Sequence, residues 1–201
     1  PKMFFILSIR DMGQFSFLAG CFIFWSALAL RRERPGLAVL LWIPAVLLKI
    51  YPFLLVPVYV RRAGWRRTVG SIGLMAALAL PHFLWRAGDL REFLALNLGS
   101  AANFPEAAYA GNQGFAHLLI QLKSILPGMT PPIAAGLVLG LGCILTLAYI
   151  YCAVHTTVMD DGLYIALGTA LFFVLSREVW EHHYCLFLPP AAYYLLTRRS
   201  G

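Results

Sequence analysis

The sequence contains little charge, and acidic residues are the scarcest. Asp and Glu together occupy nine of 201 positions, and charged residues make up only 12% of the chain. Hydrophobic residues make up 60%, and the mean hydropathy is +0.74. An average soluble domain carries about 25% charged residues. The composition therefore excludes an ordinary soluble domain and predicts a multi-span membrane protein.

Cysteine is also scarce, with four residues that all lie in apolar runs: Cys21, Cys143, Cys152 and Cys185. Their spacing is not typical of metal ligands or of a disulfide framework. We interpret them as buried thiols, because free cysteine behaves as a small hydrophobic residue. Glu178 and His182 would share one helical face, but no third ligand with a recognisable spacing accompanies them. We therefore predict neither a metal site nor a cofactor.

Basic residues outnumber acidic ones by 16 to nine, which gives a formal net charge of +7. They cluster at the ends of apolar runs, a distribution that sets membrane orientation and does not indicate a nucleic-acid partner. The blocks Arg31–Arg34 and Arg61–Arg67 are expected in the cytoplasm, together with Arg198 and Arg199. The acidic pair Asp160-Asp161 falls on the same side and is interpreted as a solvated turn.

The apolar runs predict an all-α polytopic membrane bundle that forms a single transmembrane domain over residues 1–201. Residues 86–132 are predicted to form a polar extracytoplasmic loop that contains an interfacial helix at Phe115–Leu126. The predicted membrane segments are Phe15–Leu30, Gly36–Val60, Thr68–Trp85, Ile133–Val154, Leu163–Leu175 and Tyr184–Leu196.

The segment Gly36–Val60 is basic at both ends, so both ends are expected on the cytoplasmic side. One interpretation is a re-entrant hairpin of two short helices that breaks near Lys49–Pro52, because proline removes a backbone donor. The alternative is a single tilted span, which would place the Lys49 ammonium near the middle of the bilayer at a cost of about 2.5–3.5 kcal/mol. In the hairpin, Lys49 would reach a polar site from the outer side.

A polar cluster at Ser176–His183 separates two apolar arms, and ionisable groups at membrane depth indicate a functional site. The orientation set by the basic blocks places this cluster on the outer face of the membrane. Three other polar segments are expected on that face: Gly13-Gln14, Lys49–Pro52 and the loop around Asn112. Cationic groups would bind a phosphate, amides would bind sugar hydroxyls, and aromatic rings would stack on a pyranose. The candidate site residues are Lys49, His182, His183, Gln14, Tyr51, Asn112, Gln113 and Trp180.

Each candidate also has a simpler interpretation. The histidines would hydrogen-bond to lipid headgroups or backbone, and Trp180 and Tyr51 would belong to the interfacial aromatic belt. Gln14 would cap a helix, and Asn112-Gln113 would be ordinary loop residues. His82, His117 and His155 are interpreted as incidental.

Five motifs in order resemble those of glycosyltransferase family 87, which are C-type integral membrane mannosyltransferases and their relatives. The motifs are Gly13-Gln14-Phe15-Ser16-Phe17-Leu18, Gly36 leading to Leu48-Lys49-Ile50-Tyr51-Pro52, Trp65-Arg66-Arg67, Gly111-Asn112-Gln113, and Ser176 leading to Trp180-Glu181-His182-His183. The chain departs from the family pattern at Arg177, where proline is common, and at Gly114, where serine is common.

The resemblance implies transfer of a hexose, usually mannose, from a polyprenyl-phosphate-sugar donor to a lipid-linked or envelope glycan acceptor. The reaction would take place on the extracytoplasmic face of a bacterial plasma membrane, with Lys49 and the paired histidines near the donor phosphate. The catalytic base of such enzymes lies before the Gly-Gln motif. We therefore expect it upstream of residue 1, and we expect this chain to be the C-terminal part of a longer protein.

Two other kinds of protein fit parts of the sequence. A transporter or flippase for a lipid-linked sugar would also contain a broken helix with a buried lysine. A non-catalytic membrane protein that binds such lipids would use the same polar face.

Overall fold

The computed structural model describes residues 15–91, 115–121, 126, 128–155, 160–175 and 186–198. Regular structure in these residues is helical, and no strand occurs among them. We label the α-helices in chain order as α1 (Ser16–Arg31), α2 (Pro35–Leu48), α3 (Val56–Ala63), α4 (Trp65–Trp85), α5 (Phe115–Gln121), α6 (Pro131–His155), α7 (Asp161–Leu175) and α8 (Leu188–Arg198). The prediction of an all-α membrane helical bundle is confirmed.

Helices α1 and α2 form an antiparallel pair through a tight turn. Glu33 adopts a left-handed backbone with φ of 53°, and Pro35 begins α2 at a position where its missing N–H costs nothing. The Ser26 hydroxyl donates to the Ala38 carbonyl across the pair at 2.7 Å. Ser16 and Leu48 each lie ten residues, or about 15 Å, further along their helices. The start of α1 and the end of α2 are therefore at the same level.

The helix that begins at Pro35 ends at Leu48, and Lys49 has an extended backbone with φ of −152° and ψ of 134°. Pro52 explains this end, because it cannot donate to the Leu48 carbonyl and its ring would clash with that group in a continuous helix. A short 3₁₀ helix, Tyr51–Leu55, follows and leads into α3. The chain therefore breaks where the sequence predicts.

The two helical arms fold back on each other. The ring of Trp42 in α2 stacks on that of Tyr59 in α3, with centroids 4.5 Å apart. In one continuous helix these residues would be about 26 Å apart. The indole Nε1 of Trp42 also donates to the Pro52 carbonyl at 2.8 Å. The predicted hairpin is thus confirmed, and the alternative of a single tilted span is wrong.

Helices α4 and α6 are long and apolar enough to cross a membrane, whereas α1, α2 and α7 are shorter apolar helices. Gly64, at the turn into α4, has φ of 85°, a conformation that favours glycine. Helices α6 and α7 run antiparallel, because the Tyr164 hydroxyl donates to the Cys152 carbonyl at one end while Gly142 lies against Leu175 at the other.

The polar loop predicted at residues 86–132 lies partly outside the described residues. Its predicted interfacial helix begins at Phe115, as expected, and α5 packs on the first turns of α6 through Phe115 and Leu119 against Ala134 and Val138. Residues 92–114 and 122–125 are outside the described part of the chain.

The described cysteines Cys21, Cys143 and Cys152 are free thiols. The prediction that they are buried is wrong for Cys143, which is exposed on the outer surface of α6, and the other two are only half-buried. An apolar environment therefore need not be the protein core, since helix surfaces that face lipid are also apolar.

Candidate functional site

Two of the eight candidate site residues, Lys49 and Tyr51, lie in the described part of the chain, at the tip of the α2–α3 hairpin. We call residues 49–55 the hairpin tip. The remaining candidates lie outside the described residues, and their places in the site stay predictions: Gln14, Asn112, Gln113, Trp180, His182 and His183.

The hairpin tip packs on the C-terminal half of α7. The ring of Tyr51 is 5% exposed and lies 5.1 Å from that of Phe172, measured between centroids. Leu55 approaches α7 at Gly168, where a Cβ atom would come within 2.6 Å of the Leu55 side chain. Gly168 therefore permits the close approach that holds the tip. The Lys49 side chain is half-buried beside it.

The segment that carries Trp180 and the paired histidines is joined to the same end of the bundle. The rings of Phe173 and Phe187, which flank it in the described chain, stack with centroids 4.6 Å apart. Phe172, the residue before this stack, contacts Tyr51. The described chain therefore stops at Leu175 and resumes at Leu186 beside the hairpin tip.

The other two candidate segments are also joined to elements at this end. Gln14 precedes α1 by two residues, and the start of α1 is level with the end of α2. Asn112 and Gln113 precede α5, which packs on Ala134 and Val138 in the first turns of α6. Leu175 lies against Gly142 in the middle of α6, so these turns extend beyond Leu175 on the same side, by about 12 Å at Ala134. The described topology is thus compatible with one site that gathers all four segments.

Sequence reasoning missed one polar group at this end. Ser16, in the first turn of α1, is fully buried, and its hydroxyl has no hydrogen-bond partner among the described residues. Buried hydroxyl groups are usually paired, so such a group marks a position where a polar contact is available. The sequence feature that could have identified Ser16 is its place in the motif Gly13–Leu18, two residues after Gln14.

The opposite end of the bundle contains an ion-pair cluster. The Asp161 carboxylate accepts from Arg61 at 2.7 Å and from Arg62 at 2.9 Å, and its side chain is only 9% exposed. Arg62 also contacts Glu33 at 3.0 Å. The interpretation of Asp161 as a solvated loop residue is therefore wrong. Charge complementarity could have predicted this contact, because the sequence analysis already placed Asp160-Asp161 on the cytoplasmic side with the arginines.

The electrostatics of this cluster favour the charged form of Arg62. Partial burial lowers the pKa of Arg62, but Asp161 and Glu33 together raise it by more, so it lies above its usual value. The Arg61 guanidinium lies over the Tyr164 ring, 4.6 Å from its centroid, a favourable cation–π geometry. These contacts fix the base of the hairpin to α1 and α7. Lys49, at the hairpin tip, is separate from this ion-pair cluster.

No group of three or more His, Cys, Asp or Glu side chains suited to a metal occurs within the residues that the structure describes. The polar side-chain groups of the hairpin tip are the Lys49 ammonium and the Tyr51 hydroxyl. Such groups bind an anion and stabilise developing negative charge.

The comparisons with known proteins identify the family. A model of glycosyltransferase family 87 matches residues 5–180, a stretch that contains the whole hairpin and reaches Trp180 but stops before His182 and His183. No curated protein and no solved structure matches the chain significantly. Because the family match covers most of the 201 residues, the chain belongs to glycosyltransferase family 87 and is a membrane glycosyltransferase.

Proposed function

We propose that the protein transfers a hexose, specifically mannose, from a polyprenyl-phosphate-sugar donor to a lipid-linked or envelope glycan acceptor. The reaction would take place on the extracytoplasmic face of a bacterial plasma membrane. The observation that supports this proposal most directly is the helix break at Lys49, which places a cation at the tip of a hairpin whose base is held by a separate ion-pair cluster.

The dimensions of the hairpin favour a donor that resides in the membrane. Helix α2 has 14 residues, which gives a length of about 21 Å, against a hydrocarbon core of about 30 Å. If the arginine-rich base lies at the cytoplasmic headgroups, the tip reaches the outer half of the bilayer. The phosphate of a polyprenyl lipid can approach Lys49 there, whereas a soluble nucleotide sugar would have to enter from water.

The proposed mechanism assigns charge stabilisation to this chain. As the sugar–phosphate bond breaks, negative charge develops on the phosphate, and Lys49 and the histidines His182 and His183 would stabilise it. Gln14, Asn112 and Gln113 would orient the sugar through its hydroxyls, and Trp180 would stack on its ring. Tyr51, whose ring is packed on Phe172, would support the tip. A carboxylate elsewhere in the protein would deprotonate the acceptor hydroxyl.

A donor-competition experiment tests this proposal. The full-length protein in lipid nanodiscs would receive either polyprenyl-phosphate mannose or GDP-mannose, each with a labelled sugar, together with a crude envelope-glycan acceptor. We expect labelled product only with the lipid-linked donor. Product formed from GDP-mannose alone would contradict the donor assignment.

The broken helix also favours the alternative of a transporter, because transporters use such breaks at their binding sites. In sealed vesicles, a transporter would move labelled polyprenyl-phosphate mannose across the bilayer without forming a glycan product. The transferase predicts the reverse result, with product formed and no change in the sidedness of the unreacted donor.

A further inference from the structure

The end of the bundle opposite the hairpin tip has a large excess of positive charge. We call it the arginine end; helices α1 and α3 finish there, and α2, α4 and α7 begin there. It contains Arg31, Arg32, Arg34, Arg61, Arg62, Arg66 and Arg67, and the acidic residues Glu33, Asp160 and Asp161. The formal net charge of these ten residues is therefore +4.

Arg61 and Arg62 form the ion pairs with Asp161 and Glu33 described above. The other five arginines of the arginine end are exposed: Arg31, Arg32, Arg34, Arg66 and Arg67. The first three lie in the α1–α2 turn and the last two in the first turn of α4, more than thirty positions away in sequence. The contact between Arg62 and Glu33 brings these two groups to the same end.

Exposed apolar side chains lie directly beside these arginines. Trp65 is 62% exposed, and the Arg66 guanidinium lies 5.7 Å from the centroid of its ring. Val69, one turn further along α4, is 55% exposed, and Leu40 on α2 is 59% exposed. The indole of Trp65 and the guanidiniums of Arg66 and Arg67 thus lie together in the first turn of α4, and the aliphatic surface at Val69 lies one turn deeper. A charged and amphipathic first turn followed by apolar surface matches a lipid headgroup followed by its acyl chains.

We propose that the arginine end binds the headgroups of anionic phospholipids, with Trp65, Arg66 and Arg67 on α4 and Arg32 and Arg34 in the α1–α2 turn as the contacting residues. The exposed guanidiniums supply the charge, and the neighbouring apolar surface favours a lipid over a soluble anion. This inference concerns the end remote from Lys49 and does not depend on the donor or on the transfer reaction.

The experiment measures which lipids the full-length protein retains. The protein would be released from nanodiscs made of phosphatidylcholine with or without phosphatidylglycerol, and the bound lipids counted by native mass spectrometry. Each basic residue near an anionic surface raises affinity about fivefold, so the double change Arg66→Gln with Arg67→Gln is expected to weaken phosphatidylglycerol binding about thirtyfold.

The matched control is the pair Arg86→Gln with Arg91→Gln, which follow the far end of α4 and whose substitution removes the same charge from exposed positions. We expect its retention of phosphatidylglycerol to stay within about threefold of the unaltered protein, since these residues lie outside the arginine end. If the α4 double variant does not fold, Arg32→Gln with Arg34→Gln tests the other half of the surface.

Three results would overturn the proposal. One is equal retention of phosphatidylcholine and phosphatidylglycerol by the unaltered protein. Another is equal weakening by the test pair and the control pair, which would show an effect of net charge alone. The third is displacement of phosphatidylglycerol by inorganic polyphosphate at the same concentration of phosphate groups, which would show a surface for any polyanion.

Discussion

Removing one carboxylate at the arginine end is expected to loosen the base of the hairpin. Asp161→Asn keeps the shape of the side chain but removes the charge that pairs with Arg61 and Arg62 at 2.7 and 2.9 Å. Loss of one partner of a fully buried ion pair costs about 3–5 kcal/mol. Here Arg62 is one-third exposed and keeps Glu33, so only Arg61, at 18% exposure, loses its main partner. We therefore expect a loss of about 2–3 kcal/mol.

This loss can be measured as a lower melting temperature in nanodiscs, by about 4–12 °C for a chain of this length. The control is Asp89→Asn, an exposed aspartate whose contacts with Arg86 and His82 are 3.6 and 3.4 Å long. Exposed pairs of this kind contribute about 0–1 kcal/mol, so this variant should melt within about 3 °C of the unaltered protein. Equal shifts for the two variants would refute the structural role assigned to Asp161.

Two further changes test the hairpin tip. Trp42→Phe removes the N–H that donates to the Pro52 carbonyl, so amide hydrogen exchange should become faster in peptides that cover the hairpin tip. Exchange in α4 should stay unchanged. An equal increase in both regions would contradict the role of Trp42 in holding the tip. Gly168→Ala places a methyl group within 2.6 Å of the Leu55 side chain and should lower the unfolding free energy by about 1–3 kcal/mol. Gly136→Ala is the control, because the space around Gly136 is open, and it should leave the unfolding free energy unchanged. Equal denaturant midpoints for the two variants would contradict the close packing of Gly168 on Leu55.

The break in the hairpin was predictable because its causes are local. Pro52 removes a specific helical hydrogen bond, and the two basic ends favour a segment that returns to the side from which it started. The helix bounds near Phe15, Phe115 and Leu175 follow in the same way from apolar runs that end at polar or proline-containing segments.

Contacts between distant segments were not predictable in this way. Asp161 and Arg61 are 100 positions apart, and the sequence analysis placed them on one side without indicating that they meet. The ring stack of Phe173 on Phe187 likewise depends on how α7 packs beside the segment before α8. Cys143 was misplaced because an apolar run does not show which of its faces is turned to lipid.

The sequence predicts a site from the types of residues it contains, and two of the eight candidates lie in the described part of the chain. Lys49 and Tyr51 lie together at the tip because the break in the chain puts them there. Four of the other six candidates are joined to elements that end near the tip, and Asn112 and Gln113 precede α5, which packs on α6. The roles of all six stay predictions. Ser16 was not singled out, because only its burial distinguishes it from other serines in apolar runs.

The measurement that tests the central claim most directly is the steady-state rate of mannose transfer from polyprenyl-phosphate mannose by the full-length Lys49→Ala variant. Loss of one preorganised group that stabilises charge in the transition state lowers kcat by about 100- to 1,000-fold. We predict a loss of this size with an unchanged melting temperature, partial recovery in Lys49→Arg, and normal rates in Arg91→Ala as the control. A Lys49→Ala enzyme that works within about twofold of the unaltered rate would contradict the account.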